Sequence, residues 1–506
     1  MSHTTLSRLL SLLFIAAIMF AMLGRERVET APPNNAVVKA DAIDSTKKTE
    51  TAPRLVGSAS CAAAACHGGL SGHPTIGAEF PIWSGRDPHS RAYSVLLNDL
   101  SQQMAKRLEL KQPAHESAVC LNCHSPATTL AETAPGRERP PIDGVSCEQC
   151  HGSAEHWLTA HVRKDWRERS LEEKLRLGYR DLSDVLTRAN LCVDCHVGGP
   201  GRDVNHDLIA AGHPRLFFEL SAFHANWPKH WPNESDAKRH LIDAGKEKST
   251  ASYFEAKLWA IGQVVTAQRS MELLAVRAKD ANSKPSASWP ELAEWNCFAC
   301  HHDLQAASWR QAKSPLANVS RVKDALAGNA WPYALIKPLA IESNHAEVVG
   351  EKALWQPLRG LIAKPVSPPV PIQKHATTIA TELSVWAQQL NQQEASGQHF
   401  SAAAIDKLRL RLVGDDGAKL IAQDWDSATQ LTLALTSLHH ASIAVRTANT
   451  PADEQRDREV QAVIDSMNEA LNFPGGFQSP RDFSEKLIDR LQVDLLRLRK
   501  LLTSPK

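Results

Sequence analysis

Cys120-Leu-Asn-Cys123-His124, Cys147-Glu-Gln-Cys150-His151, Cys192-Val-Asp-Cys195-His196 and Cys297-Phe-Ala-Cys300-His301 repeat one pattern, C-x-x-C-H, four times. A chain of 506 residues with 10 Cys and 22 His would yield about 0.01 such matches by composition alone. The two remaining cysteines form a variant, Cys61-Ala-Ala-Ala-Ala-Cys66-His67, so no cysteine lies outside a Cys-His motif. The chemistry that needs this order is covalent haem attachment. Two thiols add to the two vinyl groups of one porphyrin, and the adjacent imidazole then lies under the iron. In the variant the small residues Ala62–Ala65 loop out between the same two anchors. Zinc sites use C-x-x-C pairs but need no histidine directly after each second cysteine. A thioredoxin-like redox motif does not come in five copies. The reading is five haem c groups, each an iron cofactor with His67, His124, His151, His196 or His301 as proximal ligand.

All five motifs lie between Cys61 and His301. Polypeptide so thinly spread cannot bury five porphyrins in separate cores, so the haems must pack together and supply much of the apolar interior. Nine of the 13 Trp fall within residues 55–312, where flat indoles suit porphyrin faces and edges.

The rest of the composition excludes other classes. The chain is 43% hydrophobic and 22% charged, which is too apolar for wholesale disorder. A formal charge of +1 gives no basic surface for nucleic acid. Residues 9–24 are almost purely apolar and are flanked by Arg8, Arg25 and Arg27. Residues 1–27 therefore read as a signal peptide or an N-terminal membrane anchor. Residues 28–54, rich in Pro, Thr and Ala, read as a flexible linker. Export agrees with the haem reading, because c-type haem is attached outside the cytoplasm.

Eleven further histidines lie in residues 55–312, against five in residues 313–506. This surplus points to distal ligation, with imidazole on both faces of most irons. Here the sequence resembles a family. Trp83-Ser-Gly-Arg-Asp-Pro-His89-Ser-Arg-Ala-Tyr93 is similar to the W-x(n)-H-x-x-A-Y signature of multihaem cytochromes related to cytochrome c-554 and hydroxylamine oxidoreductase. Gly144-Val-Ser-Cys147-Glu-Gln-Cys150-His151-Gly152 with the following Trp157-Leu-Thr-Ala-His161 resembles the same group. So do Asn205-His206-Asp207 through Gly212-His213-Pro214-Arg215 and the segment Cys297–Leu304. The resemblance implies His89, His161, His206 and His213 as distal ligands. His115, just before the second motif, is the fifth choice, with His156, His230 and His302 in reserve. The chain departs from relatives with four or eight haems, and it has no C-x-x-C-K motif of the kind that marks a lysine-ligated catalytic haem.

Beyond the motifs the pattern is helical. Phe254, Leu258, Ile261, Val265 and Leu274 predict a long helix over residues 251–279. Pro365-Val-Ser-Pro-Pro-Val-Pro371 reads as part of a Pro-rich connecting segment. Three stripes then predict a helical bundle: Ile379, Leu383, Trp386 and Leu390; Leu431, Leu435 and Leu438, with Asp426 as N-cap; and Phe483, Leu487, Leu491, Leu495, Leu498 and Leu502. The expected fold class is mainly α, a multihaem cytochrome c fold with a haem-dominated core followed by a helical C-terminal domain. The expected organisation is a pentahaem domain over 55–312, a connecting segment over 313–372 and a helical domain over 373–506.

The expected function is electron carriage in the periplasm or at the outer face of the cytoplasmic membrane. Its partners would be redox proteins, quinol-linked or periplasmic cytochromes, with no nucleic acid. The alternative is an oxidoreductase acting on a small nitrogen or sulfur compound at one haem with an open coordination position. Because all ten cysteines are spent in Cys-His motifs, the intact mass of the exported protein should exceed that of its polypeptide by five haems. A gain of four would remove the Cys61 motif from the set.

Overall fold

The computed structural model describes residues 55–69, 77–126, 143–231, 254–284, 287–297, 328–345, 355–364, 366–392, 400–446, 450–472 and 483–504. The expected leader and linker over 1–54 lie outside these residues, as do His73, His240, Cys300, His301 and His302. The protein is mainly helical. Among the described residues there is no strand, only two isolated bridges. No described helix is long and apolar enough to cross a membrane.

The chain divides into two compact units. Described residues 55–215 and 227–231 form the first, and residues 216–226 and 254–504 form the second. The first unit is built from short helices: α1 (Glu79–Arg86), α2 (Asp99–Arg107), α3 (Ala118–His124), α4 (Cys147–His151), α5 (Leu171–Arg176), α6 (Val185–His196) and α7 (His206–Ala211). Side chains start most of them. Asn98, Asp184 and Asn205 accept from the backbone N–H of Ser101, Thr187 and Leu208, at 2.8, 2.7 and 3.0 Å. The unit has little apolar interior of its own. One cluster comprises Tyr93, Leu96, Ala105, Ala114 and Leu121, with the motif residue Cys120 packed on it. Helices this short are not stable alone and need an external surface to pack on.

The second unit packs as an ordinary helical domain. Its helices are α8 (Leu220–Asn226), α9 (Phe254–Ser283), α10 (Ile336–Glu342), α11 (Trp355–Ile362), α12 (Pro369–Gln392), α13 (Ala402–Leu412), α14 (Asp415–Gln423), α15 (Trp425–Ala444), α16 (Pro451–Leu471) and α17 (Glu485–Thr503). Helix α9 covers the predicted long helix and extends it to Ser283. Every residue from Ala256 to Ala267 is buried, Lys257, Gln263 and Thr266 included, so this half of α9 is enclosed on all sides as a central helix should be. Its main neighbour is α12, which buries the predicted stripe Ile379, Leu383, Trp386 and Leu390. The sequence boundary at residue 312 thus falls between two helices that pack on each other.

Three local details differ from the sequence reading. The stretch ending at Pro371 is not all connector, because α12 begins at Pro369. First-turn N–H groups have no intrahelical acceptor, so proline fits there. Helices α10 and α11 also lie inside the expected connecting segment. The cap of α15 is Asp424, whose Oδ1 accepts from Ser427 N–H at 2.7 Å, and Asp426 is buried inside the helix.

Helix α8 crosses α9 at Gly262, where an added Cβ would lie 2.7 Å from Leu220 Cβ. That neighbour is held by its own backbone and cannot swing aside. Gly262→Val should therefore destabilise the second unit by about 1–3 kcal/mol, the usual cost of overpacking. Denaturant unfolding followed by far-UV circular dichroism measures it.

Candidate functional site

The C-x-x-C-H motifs occupy helix ends. Helices α3, α4 and α6 each finish on their motif histidine, His124, His151 and His196. Cysteines three apart on a helix share a face, which is the face a doubly attached ring requires. Cys61 instead ends a short 3-10 turn, Ser58–Cys61, and its extra residues form the loop that returns to Cys66.

Each of these four described histidines faces a second imidazole. Ring centroids are 6.2 Å apart for His67 and His161, 6.3 Å for His124 and His213, 6.3 Å for His151 and His230, and 6.0 Å for His196 and His89. A metal–imidazole bond is about 2 Å and the ring centre lies about 1 Å behind the nitrogen, so two imidazoles trans across one metal have centroids about 6 Å apart. The observed gaps match that span and are too wide for direct ring stacking.

The other ring nitrogens agree. The Nδ1 of His67 lies 3.1 Å from Glu79 Oε2, and that of His89 lies 2.9 Å from Asp87 Oδ1. His124 Nδ1 is 2.8 Å from Ala92 O, and His213 Nδ1 is 2.8 Å from Pro214 O. His161 Nδ1 pairs with Leu158 O. An acceptor at Nδ1 fixes the proton there and leaves Nε2 to ligate. Burial pushes His196 down to about 3, and His151 and His213 to about 4, so these rings are held in the neutral form that binds metal. Two buried donors at the pairs, Trp157 Nε1 and His230 Nδ1, have no acceptor among the described residues. They fit a polar group carried by a bound cofactor.

The four pairs stand in a row. The side chains of Cys61 and Cys147 lie against each other, joining the first and third motifs. Those of Cys123 and Cys195 do likewise, joining the second and fourth. Trp227 contacts both His89, at 5.4 Å between rings, and His230, at 6.3 Å. The spatial order is therefore His67/His161, His151/His230, His196/His89 and His124/His213.

The clamps that hold this row are carboxylates and carbonyls. Buried Glu148, inside the third motif, accepts from Val56 N–H at 3.0 Å, Gly57 N–H at 2.8 Å and Ala154 N–H at 2.8 Å. Asp143 Oδ2 accepts from the Ser58 hydroxyl at 2.6 Å. Together they bring the Cys61 segment beside Cys147. Trp83 Nε1 donates to Val145 O at 3.1 Å, and Val145 N–H donates to His89 O at 3.0 Å. At Gly144, with φ of 66°, a Cβ would sit 2.5 Å from His89 O, so only glycine lets the two segments close. Asp87 is almost fully buried. Burial opposes its ionisation, but the hydrogen bonds from His89 and Trp227 outweigh that and bring its pKa below the ordinary carboxylate value.

Of the distal candidates read from the sequence, His89, His161 and His213 face motif histidines, and the reserve residue His230 does so as well. His115 and His206 stand outside these four pairs. The Nδ1 of His115 is 3.4 Å from Gln102 Nε2, and its Nε2 is 3.6 Å from Glu116 Oε1. His206 opens α7 behind the Asn205 cap. Of the fifth motif only Cys297 is described, and it belongs to the second unit. Sequence reasoning missed Asp87, Glu79, Glu148 and Trp227. The D-P-H spacing of Asp87 and the Glu inside the third motif were the available signals.

Covalent attachment points beside paired imidazoles define a multihaem c-type cytochrome. Residues 60–152, which hold the first three motifs, match the family of cytochrome c554 and c-prime. Residues 60–152 are thus a domain similar to that multihaem c-type cytochrome family, which implies covalently bound haem c. No curated protein and no solved structure matches the chain.

Glu148→Ala removes the acceptor of the Val56, Gly57 and Ala154 amides together. Leaving buried donors unpaired costs about 1–3 kcal/mol. Hydrogen exchange should accelerate at Val56, Gly57 and Ala154 and stay unchanged in α16.

Proposed function

We propose that this is an exported pentahaem cytochrome that carries electrons between redox partner proteins along closely packed, mostly bis-histidine haems. Haem c supplies the one-electron Fe(III)/Fe(II) couple. The chain supplies everything else. Cys61 and Cys66, Cys120 and Cys123, Cys147 and Cys150, Cys192 and Cys195, and Cys297 and Cys300 are the attachment points. His67, His124, His151, His196 and His301 are the proximal ligands, and His161, His213, His230 and His89 the distal ligands of the first four in that order.

The observation that carries this reading is the recurrence of one ring separation, 6.0–6.3 Å, at four independent motif histidines. Imidazole on both faces closes the iron to substrate and keeps it low-spin in both oxidation states, so little reorganises when an electron passes. This supports the carrier over the oxidoreductase alternative, which needs an open position. Burial of His151, His196 and His213 keeps water from these three rings, while His67 and His89 keep 43% and 34% of their side chains exposed. The family is typically extracytoplasmic, which supports placement in the periplasm or on the outer membrane face.

Replacement of distal ligands tests the reading. In His230→Ala the haem stays attached while one iron turns high-spin by electron paramagnetic resonance. His115→Ala leaves the spectrum unchanged. A high-spin iron in His115→Ala with none in His230→Ala would reverse the assignment.

A further inference from the structure

We propose that Asp87 sets the reduction potential of the haem held by His89 and His196, lowering it through a buried negative charge on the distal imidazole. The inference rests on the haem reading above and goes beyond it. Asp87 stands two residues before His89 and makes three contacts. Its Oδ1 accepts from His89 Nδ1 at 2.9 Å and from His89 N–H at 3.0 Å, and its Oδ2 accepts from Trp227 Nε1 at 2.7 Å. Its side chain is 1% exposed.

The four pairs differ in what their Nδ1 atoms meet. His124 and His213 donate to the backbone carbonyls of Ala92 and Pro214, which are neutral acceptors. His67 donates to Glu79, a carboxylate whose side chain is 25% exposed and screened by water. His89 gives its Nδ1 proton to a carboxylate shielded from solvent. A carboxylate at Nδ1 draws on the N–H proton and makes the imidazole a stronger donor at Nε2. A stronger donor favours Fe(III) over Fe(II) and lowers the potential. The fixed charge acts in the same direction, and its field is stronger in the low-dielectric interior than at Glu79.

Trp227 shapes the effect. Its N–H removes part of the carboxylate's hydrogen-bonding capacity, and its ring also contacts His230 of the neighbouring pair. Asp87 therefore lies between the two middle pairs of the row, where a low potential would set the difficulty of passing an electron from one half to the other.

The test is a potentiometric titration of the holoprotein, with the spin state followed in parallel. In Asp87→Asn one component should shift upward, so that its reduced-to-oxidised ratio at fixed potential rises at least tenfold, about 59 mV for a one-electron couple. All irons that are low-spin in the wild type should stay so. Asp87→Glu should return the component towards the wild-type value. Trp227→Phe takes a donor from the carboxylate but keeps its charge, so the same component should move downward. This variant decides the matter if Asp87→Asn does not fold. An unshifted titration in Asp87→Asn overturns the proposal, as does an upward or absent shift in Trp227→Phe. A new high-spin iron in Asp87→Asn also overturns it, because Asp87 would then merely hold His89 in place. Failure of the underlying reading looks different: the wild type would lack attached haem or would have a high-spin iron at this pair.

Discussion

Paired imidazoles with ring centres 6.0–6.3 Å apart recur at four motif histidines, a span that a metal between two nitrogens would fix, and the first unit is organised around it. Short helices deliver His124, His151 and His196 at their ends, and loops or turns deliver His89, His161, His213 and His230 to the opposite side. Residues that would otherwise build an apolar core are few. What the unit invests in instead is polar clamping: Glu148 and Asp143 on the Cys61 segment, Trp83 and Val145 on the His89 segment, and Arg107 Nη1 on Ala211 O at 2.9 Å beside the His213 turn. Directional hydrogen bonds suit this task, because an apolar contact tolerates displacements that a metal–nitrogen bond does not.

The second unit obeys a different rule. Helix α9 is buried on all sides and α12 buries a full stripe against it, so area removed from water stabilises this part. Buried polar groups in it are paired by protein at two places. Glu219 accepts from the Ser221 hydroxyl at 2.8 Å and from Ala222 N–H at 2.7 Å. Arg409 donates to His439 Nδ1 at 3.2 Å and to Ser442 Oγ at 2.8 Å. The adjacent pair His439 and His440 is thereby built into helix packing. Burial and Arg409 push His439 down to about 3, so it stays neutral in the core.

The row of pairs gives the two kinds of charged group in the first unit distinct work. Carboxylates that touch backbone amides, such as Glu148, decide where segments lie. Asp87 and Glu79 instead touch the Nδ1 atoms of paired imidazoles. Their exposure differs, 1% against 25%, so the same chemical contact has different strength at the two pairs.

The sequence by itself determined the five Cys-His motifs, the helical class and the apolar stripes of α9, α12 and α15. These are local properties: thiol and imidazole spacing within five to seven residues, and a repeat of 3.6 residues. It also placed His89, His161 and His213 on the distal side by resemblance. It put His115 ahead of His230, because the imidazole that faces a motif histidine comes from a remote segment and no local spacing records that approach. His115 is taken up by Gln102 and Glu116, while His230 meets His151 across 79 positions of chain. The order of the pairs, first, third, fourth and second motif, was equally hidden. It follows from the Cys61–Cys147 and Cys123–Cys195 contacts, from Trp227, and from the carboxylate clamps that draw distant segments together. Only the tertiary structure decides such contacts, because each depends on where the backbone returns after tens of residues.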